Sequence, residues 1–542
     1  MAARTTVLFV FAFCSLAFST TPRDLSLNLF RRITGVPIQL SDPRLSQMEK
    51  FIAEGNFKAA ANIATEDSNF YRLTLKQWAT KLSNREESPF PSLNDFSAMV
   101  IGVTRDGKDA RLLLVGNFGY QADGITDLPK RDLGNNNHYD FLENKRVDLK
   151  KELKLVSPQW PGFKSSAGLL TSRAWGSAHY RDGTNRRAVE FSIQEFLCTN
   201  INQWKEAGLS DHRVRRDVDR RPGKNYDNYK NQCRTCHATM DAMGGAFARF
   251  DFKGERLVDF GGGVADKMNR NGTNYPDGYV TVDDSWETPN TPNHQQLFGW
   301  RGQTSGLGIK EFGKLLANSD RFKSCMAEKA FKEMCGRDAN GAEREKDIPA
   351  IAQKFEEGGY HLRSLFEDVA VLPSCLGQGD APTEAGVNNF RQVYESLISQ
   401  TGVDPLQKPD IEKYFQEAVT RLPKSGTVEE MNSTSLLAIT ALSGMFCKAW
   451  ISDEAKAAAG ERKTHTEVNF DAKEMSDAEI QKMANRYALN FWQREATAEE
   501  LKVLLELGKE FRDLKTDKPL SIADQLTGLC TAMASSLESM SR

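Results

Sequence analysis

The pentapeptide CRTCH, which runs from Cys233 to His237, constrains this 542-residue chain more than any other feature. C-x-x-C-H is the attachment signature of c-type haem. Two thiols separated by two residues form thioethers with the vinyl groups on one edge of a porphyrin, and the next residue supplies an imidazole nitrogen as the proximal iron ligand. The sequence therefore predicts one covalent haem c, attached through Cys233 and Cys236 and ligated by His237.

Two other roles for the C-x-x-C pair are less favoured. A zinc site needs a second ligand pair at a defined spacing, and the sequence contains no second C-x-x-C and no H-x3-5-H. A thioredoxin-like redox motif needs a βαβ context, which the neighbouring sequence does not have. A zinc or plain disulfide role stays open as the alternative to haem.

Residues 1–19 have the features of a secretory signal peptide. A short basic segment, Met1 to Arg4, precedes an apolar stretch from Thr6 to Phe18 that is too short for a membrane span. Haem c is attached on the exported side of the bacterial membrane, so signal and motif agree. We therefore expect an exported protein of the bacterial periplasm. Beyond the signal no apolar run approaches the length of a span, and we expect no membrane span in the mature chain.

The cysteine count predicts disulfides. Cys14 belongs to the signal and two cysteines to the haem, which leaves six in an exported protein and hence three bridges, with buried thiols as the alternative. Two of these six lie ten residues apart on one predicted helix, about 15 Å, too far to pair with each other. We expect a helical hairpin to bring Cys325, near the start of one helix, to Cys375, near the end of the next, which leaves Cys447 with Cys530 and Cys198 with Cys335.

Local signals predict a mainly α, multidomain fold. A cap and first-turn proline at Asp42-Pro43 begin a helix that Gly55 ends. Capping boxes mark three later helices: Thr427 with Glu430, Ser476 with Glu479, and Thr497 with Glu500.

A middle segment, residues 252–308, is rich in Gly, Asn, Asp and Pro and has no helical periodicity. An irregular stretch of this length is usually functional, and here we expect it to wrap the haem. The predicted domains are a signal peptide at 1–19, an N-terminal helical domain at 22–159, a loop-rich c-type haem module at 160–310, a helical module at 311–378 and a C-terminal helical domain at 386–542.

The run CRTCHATMDAMGGAFARFDFKGERL, residues 233–257, resembles the haem-attachment module of the large secreted planctomycete-type cytochrome-domain proteins. That family continues C-x-x-C-H with Met/Ile-Asp-Pro-Leu-Gly-Phe-Ala-x-Glu-x-Phe-Asp and then Gly and Arg. Ala242 and Gly245 depart from the pattern, and the similarity extends over about residues 160–375. The resemblance implies an exported bacterial haem protein in which Cys233, Cys236 and His237 hold the haem. The matching positions are Met240, Asp241, Gly244, Ala246, Phe250, Asp251, Gly254 and Arg256.

The sixth position on the iron separates the possible functions. Met240 and Met243 follow His237 so closely that they begin on its proximal side, whereas a distal ligand must come from across the haem plane. We favour Met268, in the Gly-rich segment, as the distal ligand, with His294, His179 and an open position as alternatives.

The composition of the chain and the residues near the C-x-x-C-H motif indicate which partners to expect. Charged residues are 27% of the chain and the net charge is −2, which gives no bias toward nucleic acid. The segment DHRVRRDVDRRPGK, residues 211–224, would dock an acidic redox partner or neutralise haem propionates, although a solvated loop is favoured. Other candidates are Arg249 and Arg256 for the propionates, and Phe247, Phe250, Phe260, Trp286 and Trp300 for apolar walls.

Two main classes of function follow. The first is electron transfer through one haem to a redox partner protein or small molecule. The second is a haem enzyme, a haem-dependent oxidoreductase, or a small-ligand sensor, each with an open sixth position. A helical scaffold with a structural haem is a third possibility. No residue is assigned a catalytic role.

Overall fold

Helices make up 58% of the chain and the strands are few and short, which confirms the mainly α fold. The computed structural model describes residues 21–270, 275–377, 387–422, 432–513 and 515–541. The predicted signal peptide at 1–19 and the capping box of Thr427 and Glu430 lie outside these residues.

The first helices begin and end where local signals place them. Thr21 and Asp24 form a reciprocal capping box at the first helix, and Asp42 caps the second, which starts at Pro43 as predicted. The second helix ends at Ala53, just before Gly55 adopts a left-handed conformation. The N-terminal helices are α1 Pro22–Thr34, α2 Pro43–Ala53, α3 Phe57–Thr65, α4 Lys76–Leu82, α5 Asp95–Arg105, α6 Leu112–Val115, α7 Asn137–Asn144 and α8 Leu149–Glu152.

The middle of the chain alternates short helices with short antiparallel strand pairs. The segment predicted to be irregular, residues 252–308, contains no helix longer than seven residues in its described part. The described strands form three separate two-stranded sheets, β1 with β2, β3 with β4 and β5 with β6. These elements are α9 Arg173–His179, α10 Arg186–Leu197, α11 Tyr226–Asn228, α12 Arg234–Met243, α13 Pro292–Phe298, β1 Gly119–Gln121, β2 Lys154–Val156, β3 Phe250–Lys253, β4 Arg256–Asp259, β5 Ser285–Glu287 and β6 Ser305–Leu307.

The C-terminal half is helical again. Capping boxes are present at Ser476 with Glu479 and at Thr497 with Glu500, as the sequence predicts. The remaining helices are α14 Gly308–Asn318, α15 Asp320–Cys335, α16 Ile348–Glu357, α17 Leu362–Ala370, α18 Phe390–Thr401, α19 Pro409–Arg421, α20 Ser433–Lys456, α21 Asp477–Phe491, α22 Ala498–Glu510, α23 Ile522–Ala534 and α24 Leu537–Met540.

Two large hydrophobic cores organise the described residues. The first extends from Leu25 to Leu376 and includes side chains of the helices α1 to α17 except α11. The second extends from Phe390 to Met540 and is built from α18 to α24. Side chains of residues 160–310, the segment predicted to be the haem module, are thus part of the same core as the helices on either side of it. The predicted division of residues 22–378 into separate domains stays a prediction.

Three disulfides are present, but two of the expected pairings are wrong. Cys447 pairs with Cys530, as predicted. Cys325 pairs with Cys198, and Cys335 with Cys375. The predicted hairpin places Cys375 beside the start of α15. Because two helices, α16 and α17, follow α15, the chain instead brings Cys375 to the C-terminal end of α15, where Cys335 lies.

One described helix, α20, is long and apolar enough to cross a membrane by length and composition alone. Half of its most apolar window is buried inside the protein. It packs closely against α23, to which the Cys447–Cys530 disulfide ties it. A core helix of a soluble protein satisfies the same criteria.

Candidate haem-attachment site

The C-x-x-C-H residues lie on one half-exposed side of α12 and the turn before it. A π-helical turn, Tyr229–Cys233, leads directly into α12. Cys233, Cys236 and His237 are partly exposed, whereas Thr235 and Ala238 between and after them are buried. The helix therefore presents both thiols and the imidazole together and is held in the protein by its opposite face.

Both motif cysteines are free thiols. The other six cysteines among the described residues are all paired in disulfides. Cys233 and Cys236 are therefore the two described cysteines that remain available for another bond in the folded chain. Among the residues that the structure describes, no group of three or more His, Cys, Asp or Glu side chains is arranged to hold a metal ion.

The imidazole of His237 has one buried and one available nitrogen. Nδ1 is buried and makes no hydrogen bond within the described structure. It lies 3.6 Å from the Oδ2 atom of Asp241, one helical turn further along α12. The side chain as a whole is 27% exposed. Because Nδ1 faces the protein, Nε2 is the nitrogen left to meet a ligand outside it.

Asp241 is a buried carboxylate with strong donors. Its side chain has no exposed surface, and Oδ1 lies 2.5 Å from Nε of Arg186. Oδ2 accepts hydrogen bonds from Nη2 of Arg186 at 2.9 Å and from the backbone N–H of Arg215 at 3.2 Å. Burial alone would raise the pKa of Asp241, but the charges of Arg215 and Arg186 hold that pKa far below its usual range. The carboxylate is therefore ionised beneath His237.

A second carboxylate completes the network around Arg186. Asp217 accepts two hydrogen bonds from the guanidinium of Arg186, each 2.7 Å long. The guanidinium of Arg215 is buried as well and donates to the carbonyl of Thr184 at 2.7 Å. A Cβ at Gly244, just after α12, would lie only 2.2 Å from Nη2 of Arg215, so glycine permits this close approach. Sequence reasoning assigned no role to Arg186 or Asp217, although the family resemblance included Asp241.

Each candidate distal ligand has its own surroundings in the described structure. Met268 is almost fully buried in a small cluster with Ala248 and Ala265, whereas Cys233 packs in a separate cluster. Nε2 of His294 lies 2.9 Å from the carbonyl oxygen of Trp204. His179 is buried with both ring nitrogens unpartnered, its ring 4.1 Å from that of Trp175 and 4.7 Å from that of Phe191. Met268 as the distal ligand stays a prediction.

The expected apolar walls pack mainly against other parts of the protein. Phe247 and Trp286 contact Phe312 of α14, with ring centroids 5.3 and 5.4 Å apart. Phe250 stacks on Tyr180, Trp300 stacks on Phe298, and Phe260 packs beside Met268. In the described state these rings are part of the core.

The basic segment at residues 211–224 is mostly a structural loop. Arg215 is buried, and Arg220 donates to the carbonyls of Val214 and Val218. Arg221 and Lys224 are exposed. The proposed propionate ligands are also engaged, because Arg249 pairs with Asp284 at 2.7 Å and Arg256 with Asp132 at 3.3 Å.

No protein-family model, no curated protein and no solved structure matches this chain. The resemblance of residues 160–375 to cytochrome-domain proteins is therefore still an expectation. The three disulfides are typical of a protein that folds in an oxidising, exported environment.

Proposed function

We propose that this chain is an exported c-type haem protein of the bacterial periplasm that transfers electrons through one covalently attached haem. One observation carries the proposal. Two unpaired, half-exposed thiols at C-x-x-C-H spacing precede a histidine with an available Nε2, in a chain whose six other described cysteines are paired.

The residues of α12 have separate roles in this proposal. Cys233 and Cys236 hold the porphyrin through thioethers, and His237 holds the iron from the proximal side. The bound haem supplies one-electron exchange between ferric and ferrous iron. Because both thiols are at the surface of the protein, the porphyrin edge attached to them is within reach of a redox partner protein or a small molecule.

A second candidate function is a haem-dependent oxidoreductase or small-ligand sensor with an open sixth position. The burial of Met268 in a separate cluster and the engagement of His294 with a backbone carbonyl favour it. Met268 as distal ligand would favour the electron carrier, since a carrier needs two protein ligands that stay on the iron in both oxidation states.

The test is an absorption spectrum of the oxidised and reduced protein after expression with haem-attachment machinery. We expect haem that stays with the denatured polypeptide, and that is absent from the Cys233→Ala/Cys236→Ala double variant. The double variant Cys447→Ala/Cys530→Ala is the matched control, because it removes two buried cysteines of the second core and should retain the haem. A chain that carries no covalent haem would refute the proposal.

The same samples separate the two candidate functions. A low-spin, six-coordinate iron in both oxidation states supports the electron carrier. A high-spin iron that binds cyanide or carbon monoxide supports the open sixth position. Met268→Ala should convert a low-spin spectrum to a high-spin one if Met268 is the distal ligand, and should leave the spectrum unchanged if it is not.

A further inference from the structure

We propose that Asp241 is the positioning residue of His237: its carboxylate accepts a hydrogen bond from Nδ1–H, directs Nε2 toward the iron and lowers the reduction potential of the haem. This inference rests on the proposed function, since it concerns the haem that His237 would ligate. It assigns a role to a buried ionic network that electron transfer alone does not require.

His237 and Asp241 are one helical turn apart on α12, so their side chains lie on the same face. Nδ1 is buried without a hydrogen bond, and the nearest carboxylate oxygen is 3.6 Å away. That separation is too long for a hydrogen bond, but an approach of about 0.7 Å makes it one of ordinary length. The side chain of His237 is 27% exposed, and Nδ1 has no other hydrogen bond that would have to break for this movement.

The carboxylate of Asp241 is held in a fixed position. Two bonds from Arg186 and one from the backbone of Arg215 hold Asp241, whose side chain is fully buried. The imidazole therefore has to turn toward the carboxylate. Once Nδ1–H is engaged, the lone pair of Nε2 points away from the protein, on the side of α12 where Cys233 and Cys236 are partly exposed.

Metal-binding histidines generally donate their second ring N–H to a carboxylate, a carbonyl or water, and this partner fixes the tautomer and raises the basicity of the ligating nitrogen. A more basic ligand beside a negative charge stabilises ferric relative to ferrous iron, which lowers the potential. Arg186 and Arg215 balance part of that charge and thereby moderate the effect.

A purely structural role for Asp241 is the competing explanation. In that case the carboxylate serves only to pair Arg186, and the potential of the haem does not depend on it. Asp217 separates the two explanations, because it pairs with the same guanidinium while the carboxylate that faces Nδ1 is that of Asp241.

The experiment is a spectroelectrochemical titration of the haem-loaded full chain, with Asp241→Asn and Asp217→Asn compared with the native sequence. We expect Asp241→Asn to shift the ferric–ferrous equilibrium at least tenfold toward ferrous iron, a rise of 59 mV for one electron. Asp217→Asn should produce less than half of that shift. Equal shifts in both variants, or no shift in Asp241→Asn, would overturn the positioning role and leave the proposed function intact.

A second measurement avoids any loss of folding caused by removing Asp241. In His237→Gly, the iron is offered free imidazole or 1-methylimidazole, and only imidazole has a second N–H to donate to the carboxylate. We expect imidazole to give the lower potential, by more than the same two ligands differ on a haem peptide in solution. An equal difference overturns the inference. If the native chain carries no covalent haem, the proposed function fails first and this inference fails with it.

Discussion

Glu395 joins the two hydrophobic cores, and its removal should destabilise the whole chain. It lies on α18 with a side chain that is only 5% exposed. Its carboxylate accepts two hydrogen bonds from Arg72, at 2.9 and 2.8 Å, and two from Arg146, at 2.9 and 2.5 Å. Both arginines belong to the N-terminal part of the chain. In Glu395→Gln, two guanidinium groups face each other without their shared counter-charge.

The magnitude follows from burial. Removing one partner of a buried ion pair costs about 3–5 kcal/mol, because the remaining charge stays desolvated. The side chains of Arg72 and Arg146 are 19% and 21% exposed, so solvent screens part of this cost. Glutamine also keeps one accepting oxygen. We therefore expect the lower end of the range, about 3 kcal/mol.

The assay is urea unfolding of the full chain, followed by far-ultraviolet circular dichroism. The matched control is Glu255→Gln, because Glu255 makes the same two-bond contact with Arg181 at 2.7 and 2.8 Å but at the surface, with a side chain that is 62% exposed. We expect its midpoint to be unchanged. The argument is refuted if Glu395→Gln and Glu255→Gln have the same midpoint.

Lowering the pH should remove the contribution of Glu395 to the free energy of unfolding. Burial alone would raise the pKa of Glu395, but Arg72 and Arg146 hold that pKa far below the ordinary value of 4.5. A carboxyl group with a lowered pKa in the folded state stabilises the protein fully above its ordinary pKa, and this contribution is lost as the pH falls toward the folded value. The difference in unfolding free energy between the native chain and Glu395→Gln should therefore shrink below about pH 4.5.

Three further predictions test other parts of the structure. Peptide mapping without reduction should recover the three observed disulfides, and recovery of the pairs expected from spacing would contradict the path of the chain. Gly245→Ala should lower the unfolding free energy by about 1–3 kcal/mol, measured by thermal unfolding, because its Cβ would lie 1.8 Å from the carbonyl oxygen of Ser285; an unchanged midpoint would refute the close approach. Tyr487→Phe should cost about 1–3 kcal/mol in urea unfolding, because it leaves buried Nε2 of His465 without its 2.7 Å partner, and a neutral effect would refute that hydrogen bond.

Local features of the fold were predictable because they depend on neighbouring residues. The cap at Asp42 and the capping boxes of α21 and α22 are predicted from short patterns, and all three are present. Such signals require no knowledge of how distant segments pack.

The disulfide pairing shows where sequence reasoning ends. The spacing argument treated the chain from Cys325 to Cys375 as a single hairpin. The structure has two helices, α16 and α17, after α15. One additional reversal of direction brings Cys375 to the far end of α15, beside Cys335, and frees Cys325 to meet Cys198. The number and the direction of the helices depend on tertiary packing, and the spacing of the cysteines in the sequence does not reveal that packing.

The candidate site divides in the same way. The motif residues Cys233, Cys236 and His237 were identified by spacing alone, and they do lie together on one side of α12. The ionic network of Asp241, Arg186 and Asp217 was not identified from the sequence. Arg186 and Asp217 precede Asp241 by 55 and 24 residues. Only the fold places both carboxylates on one guanidinium.

The free state of Cys233 and Cys236 is the feature that most needs a chemical explanation. In an environment that oxidises cysteine pairs to disulfides, two partly exposed thiols separated by two residues are open to thiol–disulfide exchange and to oxidation. Thioether formation consumes both thiols and removes that exposure. We therefore expect that, when haem-attachment machinery is withheld, the exported chain will carry an oxidised or mixed-disulfide form at these two positions. Intact-mass and peptide analysis of that material, beside the haem-loaded chain, checks this. Two stable free thiols in the secreted protein would contradict the reasoning.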